Sequence, residues 1–286
     1  MQVTTFPQEP AQKLLQSITK RLASCTVFVL GYAHKATTLN NTNSIPHKQE
    51  NHHFTLLVLA TKTAPGLGSN IANTIAEQTQ NTITATILLH KPTDLATKQP
   101  HQIHFFNQAL RFGHRLCLDK HNPPYLVANT IPPLNQEEDT AFWLKCQAVA
   151  LFNIQAAKEN PQQGVALCKI ALLNTACTQI ALGLIRVLMH YTPNEFGLKY
   201  LLELCNYCTL SDPNCHSRLV IDNERNPLSL NTKHLKMLCA PPSMLNHWSK
   251  LNTPEEDFQC ILTATQDFLN QATNTITCHS RFVIPA

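Results

Sequence analysis

The sequence predicts an α/β domain followed by an all-α, up-and-down helical bundle. Three observations carry this. Short β-branched and aromatic runs alternate with helix-periodic segments up to about residue 130. Past Ile131-Pro-Pro133 every further periodic segment is helical. Residues 165–189 (VALCKIALLNTACTQIALGLIRVLM) form a long apolar helix around which the second half is arranged. That stretch has no proline, and its only charges are Lys169 and Arg186. It is long enough to span a bilayer. Yet Asn174, Thr175, Thr178 and Gln179, continued by Gly183 and Arg186, form one narrow polar stripe on an apolar cylinder. Such a stripe is expected of the central helix of a soluble bundle, so no membrane contact is expected.

In order, residues 10–23 place Leu14, Leu15, Ile18 and Leu22 on one helical face. Residues 25–30 (CTVFVL) read as a buried strand stopped at Gly31, and the polar residues 33–52 as an exposed loop. Residues 54–60 (FTLLVLA) and 83–89 (ITATILL) are the next strands, with a helix from Gly66 to about Gln80 between them. A helix over 100–113 and short strands at 115–118 and 125–128 complete the first domain, 1–130. In the second, 131–286, Glu137-Glu-Asp139 opens a helix to about Glu159, acids being favourable at that dipole end. Helices over 195–208, 231–239 and 243–250 follow the central one. Thr253-Pro-Glu-Glu-Asp257 starts the last, expected to end near Ala272.

Composition narrows the compartment and the partners. The start, MQVTTFPQEP, lacks a basic segment followed by an apolar run. Most of the 11 cysteines lie in apolar periodic segments, as reduced thiols of a cytoplasmic protein would. Residues 1–128 hold 11 Lys/Arg against 5 Asp/Glu, a net of +6, and nine of the 14 histidines. The remainder holds 11 against 13, a net of −2. A basic, acid-poor first half could attract phosphates, although no Lys/Arg run focuses the field.

Two local patterns carry a resemblance. One is Val27-Phe-Val-Leu-Gly31, a loop, then Phe54-Thr-Leu-Leu-Val-Leu59. The other is Asn174-Thr-Ala-Cys-Thr-Gln-Ile-Ala181 followed by Leu198-Lys-Tyr-Leu-Leu-Glu-Leu-Cys205. Over residues 10–272 the chain resembles a minimal nucleotidyltransferase domain fused to a HEPN helical bundle, a bacterial arrangement. The resemblance implies a metal-binding turn at Gly31-Tyr32, an Asp-x-Asp pair at His53 and Thr55, and a third acid near His90. Nucleotidyl transfer needs two divalent cations held by carboxylates, and none of these positions is acidic. For the bundle it implies an Arg-x(4–6)-His motif. The matching segment, residues 243–250, has His247 but no arginine ahead of it. Arg115 and His121 fit the spacing only as a string outside the bundle. At the bundle cleft, Asn174 and Thr178 stand in place of a histidine and a glutamate, with Gln179 retained.

The expectation is therefore a catalytically degenerate protein with no catalytic residues. It binds a nucleotide or RNA at Gly31, Tyr32, His53, Thr55 and His90, or a protein through the bundle; the cleft stripe of Asn174, Thr178, Gln179 and Arg186 faces either the late helix carrying His247 or, as preferred, the same stripe of a second copy in a homodimer. The alternative is a phosphoester-acting enzyme with rearranged chemistry, in which His52, His53, His90, His101 and His104 converge on a transition metal. Cys205, Cys208, Cys215 and His216 offer zinc a second set of ligands, although core packing is the preferred reading of that segment. Gly66-Leu-Gly68-Ser69 reads as a strand-to-helix turn rather than a phosphate cradle.

Overall fold

A computed structural model of the chain describes residues 6–22, 24–39, 47–96, 99–117, 133–159, 165–209, 220–221, 227–240 and 254–283. The chain divides into two compact units. One comprises Met1–Leu134 and Leu210–Glu224, the other Asn135–Thr209 and Arg225–Ala286. The first is a mixed sheet with helices; the second is built of packed long helices.

In the first unit, α1 (Gln8–Arg21) turns Ala11, Leu14 and Ile18 inward from one face. Strands β1 (Cys25–Leu39) and β2 (His47–Ala60) pair antiparallel. β3 (Ile83–His90) runs parallel to β2, and β4 (His114–Cys117) runs antiparallel to β1. The path is β3-β2-β1-β4. Helix α2 (Leu67–Gln78) begins after Gly66, whose φ of 73° is the left-handed conformation that glycine supplies without strain. A 3-10 turn over Pro92–Ala96 leads to α3 (Pro100–Phe112), with proline in its first turn.

Alternation along the strands separates two faces. Cys25, Val27, Val29 and Tyr32, with Phe54, Leu56, Val58 and Ala60 and the β3 residues Ile83, Ala85, Ile87 and Leu89, join α1 and α2 in one core. The step from Val29 to Tyr32 crosses a bulge where the register shifts before Gly31, which is how two residues of unlike parity reach one face. The opposite face carries Thr55, Thr86 and His90. Against it lies α3, whose Phe106 meets the His90 ring edge-on at 5.1 Å.

The expected exposed loop over 33–52 is largely a hairpin. β1 runs to Leu39 and β2 starts at His47. Beyond His52 the ribbon has no β3 partner, because β3 begins opposite that residue. There the two strands are joined to each other by a backbone ladder that runs out to Leu39 and His47. Such a ladder needs none of the apolar alternation that marks a buried strand.

In the second unit, α4 (Gln136–Glu159), α5 (Ala166–Met189), α6 (Leu198–Thr209), α7 (Thr232–Cys239) and α8 (Glu255–Val283) pack with α5 at the centre, touching the other four. Gly183 lets α4 come close: a Cβ there would lie 2.5 Å from Trp143 Cε3. Asn231 caps α7, its Oδ1 accepting from His234 N at 2.8 Å. α8 runs past its expected end near Ala272 to Val283. Ile276 is buried, so the apolar face continues, and Thr273 and Thr277 return their hydroxyls to carbonyls four residues back. The strand expected at 125–128 and the helix at 243–250 lie outside the described residues.

Among the described residues, α5 is the one helix long and apolar enough to cross a membrane, and 56% of its most apolar window is buried. Helix α4 is apolar on both sides. Trp143, Cys146, Ala150, Ile154 and Ala157 are buried. Away from them, Phe142, Leu144, Val149, Leu151 and Phe152 are exposed, Phe152 by 72%.

Candidate functional site

The first-unit candidates sit on adjacent strands but not on one face. Gly31 pairs with Thr55, Tyr32 with Phe54, and Ala33 with His53. His53 and Thr55 face the α3 side. There His53 Nδ1 lies 2.9 Å from Thr84 Oγ1, and its Nε2 lies 3.1 Å from Thr86 Oγ1. Thr55 and Thr86 are buried neighbours across the β2–β3 ladder. The cluster thus sets two threonine hydroxyls against the two ring nitrogens of one imidazole. Tyr32 points to the opposite, α1 and α2 face. Its hydroxyl meets His52 Nδ1 at 2.7 Å, and its ring packs on Phe54 at 5.0 Å.

His90 shares the face of His53 but lies at the far end of the sheet. It pairs with Leu59, whereas His53 pairs with Thr84, so roughly 20 Å of strand separates the two histidines. Its Nδ1 contacts Asp94 Oδ2 at 3.3 Å, and Asp94 also accepts from Lys91 N at 3.0 Å. Burial holds the His90 pKa below its ordinary value, against the opposing pull of Asp94. The convergence of five histidines that the alternative reading requires therefore does not form. His52 and His53 point to opposite faces, and His90 stands a sheet length away.

In the helical unit, the α5 stripe is engaged from within. Asn174 Nδ2 donates to the Leu238 carbonyl of α7 at 2.7 Å, while Thr178 and Gln179 are half-buried. Arg186, expected as a free positive charge in a cleft, donates from Nε to Asp139 Oδ1 at 2.7 Å and lies 3.9 Å from Glu138. His190 closes α5 in the left-handed conformation, φ 54°, and its Nδ1 lies 3.3 Å from the second Asp139 oxygen. Burial raises the Asp139 pKa, but the hydrogen bonds from His190 and Arg186, and their charges, outweigh it and hold the carboxyl below its usual range. His279 of α8 is pushed down by burial and then by His190, with Asp139 opposing.

Cys205 and Cys208 are both buried on α6, and Cys205 Sγ points at the Ala181 carbonyl, 3.7 Å away. Burial pushes both thiols well up, which disfavours the thiolate form and fits packed core cysteines. Cys215, His216 and His247 lie outside the described residues.

No family model, curated protein or solved structure matches this chain.

Several groups that organise these sites escape a sequence reading. Asp139 reads as one of three first-turn acids that suit a helix dipole, yet it is buried and gathers Arg186 and His190. Arg186 and His190 are four apart on α5, a spacing that puts them on one face and could have pointed to each other. Asp257 gathers Lys233 at 2.5 Å and His234 at 2.8 Å. Beside that pair, a groove of about 590 Å³ lies between residues 227–234 and α8. His34 and Glu50 fall in the segment read as a loop. Reading it as a hairpin would have set His34 opposite His52.

Proposed function

We propose that this chain is a self-associating binding protein rather than an enzyme, and that its helical unit pairs with a second copy through the outer face of α4. The observation that carries this is the exposed apolar row on α4: Phe142, Leu144, Val149, Leu151 and Phe152. Scattered surface apolar residues are ordinary, but five large ones spread across the solvent side of a single helix mark a contact surface. Burying a side chain of this size contributes about 1.5–3 kcal/mol, so the row as a whole is a substantial driving force.

The choice of a second copy rests on self-complementarity. Glu137 and Glu138 lie in the first turn of α4, and Lys158 in its last. An antiparallel α4–α4 pair brings the acidic first turn of one copy toward Lys158 of the other and opposes the two helix dipoles. The order of sheet unit and then helical unit supports the resemblance to a nucleotidyltransferase-like domain joined to a HEPN-like bundle, for which pairing is expected. It also moves the expected interface from the α5 stripe to α4, because Asn174 and Arg186 already have partners within the unit. The threonine hydroxyls that occupy both ring nitrogens of His53, and the acids that pair with Arg186, favour a protein partner over a nucleotide or RNA.

Sedimentation tests this. The full chain is expected to sediment as a dimer at micromolar concentration and Phe152→Asp as a monomer. A monomeric wild type at tens of micromolar, or a variant that dimerises unchanged, would contradict the proposal.

A further inference from the structure

The hairpin extending beyond the sheet core brings three metal-ligating side chains together on one face. His34 pairs with His52, and Ala36 with Glu50, across the β1–β2 ladder. His34 is therefore a direct cross-strand neighbour of His52, and Glu50 precedes His52 by two residues, the strand's own repeat. The His34 and His52 rings stack at 5.1 Å, and His34 Nε2 lies 3.7 Å from Glu50 Oε2. One ligand atom from each of the three residues falls within 4.8 Å of the other two.

We propose that His34, Glu50 and His52 form a binding site for a first-row transition-metal ion, with zinc as the first probe. Two imidazoles and one carboxylate are a ligand set that zinc takes at about 2.0–2.2 Å, leaving a fourth position for water. At those bond lengths, tetrahedral ligands sit about 3.3 Å apart, so the widest separation, within 4.8 Å, must close by up to about 1.5 Å. The side chains able to move are the accessible ones: His34 is 37% exposed and Glu50 53%. His52 is buried and fixed, its Nδ1 held by the Tyr32 hydroxyl at 2.7 Å. Orientation of an imidazole through one nitrogen while the other faces the metal is how outer partners raise a ligand's affinity. Burial, and then the neighbouring His34, hold His52 below its ordinary pKa against the pull of Glu50.

The site stands apart from both metal arrangements that the sequence suggests. It shares only His52 with the five-histidine set and nothing with Cys205 and Cys208. It does not depend on α4 pairing.

The test is zinc and cobalt(II) binding to the chelator-treated full chain, read by competition with a chromophoric chelator and by the cobalt visible spectrum. One ion per chain is expected, with the intense absorption of a four-coordinate site. His34→Gln and Glu50→Gln should each weaken zinc at least tenfold; both positions are exposed, and circular dichroism should show the folded chain unchanged. Tyr32→Phe should weaken zinc by ~10-fold or more through loss of the His52 anchor. Cys208→Ser should leave binding unchanged. Absence of binding at tens of micromolar zinc would overturn the proposal. So would binding indifferent to His34→Gln and Glu50→Gln, or binding lost in Cys208→Ser.

Discussion

Asp139 shows how far one side chain's role depends on where its helix docks. On an isolated helix it would be a solvated acid at the favourable dipole end. In the unit it is buried and shared between a guanidinium and an imidazole from the far end of α5. A carboxyl whose pKa is lowered on folding contributes stability that is fully present above the unfolded value. That contribution is lost as pH falls through the folded one. Asp139 lies below its ordinary value of 3.8, so its contribution is complete at neutral pH and disappears in acid below about pH 4. Asp139→Asn is expected to lower the unfolding free energy at pH 7 by about 1.5–3 kcal/mol, the range for hydrogen bonds to a charged group. It should also flatten the acid limb of the stability curve. Denaturant melts at pH 7 and pH 3.5 check both. An equal deficit at the two pH values would mean that Asp139 acts through packing and not through charge.

Among elements, the α4–α5 contact repays the closest look, because two apolar helices meet there through a glycine. Alanine has the higher helix propensity by about 1 kcal/mol, so sequence alone would favour Gly183→Ala. The Trp143 ring forbids it: Cε3 and Cζ3 lie 2.5 and 2.9 Å from where the methyl would sit, and the ring is buried. Overpacking of this kind costs roughly 1–3 kcal/mol. Gly183→Ala is therefore expected to lower the melting temperature by several degrees, as a thermal melt would show. A raised midpoint would show that the indole can step aside. The hairpin makes the contrary point. Residues 34–39 and 47–51 lack the apolar alternation that identified β3 from its sequence, so their pairing is read only from the backbone ladder.

For the molecule as a whole, the sequence is informative where burial imposes a period and silent where the fold turns on pairings distant in the chain. The first runs of β1 and β2, the whole of β3, and helices α1 to α5 were legible because Val27, Leu56, Ile87, Leu14 and Ile170 recur at the spacing of a buried face. The last turns of α8 were not, since threonines dilute its apolar face after Ala272. Of the sites, Gly31, His53 and Thr55 were placed on neighbouring strands, but their neutral partners Thr84 and Thr86 depend on a parallel register that only the fold supplies. The return of residues 210–224 to the sheet unit, where β5 (Val220–Ile221) pairs with Tyr32 and Ala33, has no signal in the local pattern. Nor does the exposed side of α4, because an apolar helix reads as buried all round. That side carries the central claim, and cross-linking at its midpoint tests it most directly. Ala148 is exposed near the middle of the row, where the two-fold axis of an antiparallel α4 pair would pass. Under mild oxidation, Ala148→Cys is expected to give a disulfide-linked dimer in high yield on a non-reducing gel, well above the background from the parent chain's own exposed cysteines. Lys158→Cys, at the helix end, should give none above that background. Equal cross-linking at both positions, or none at Ala148→Cys, would contradict pairing through α4.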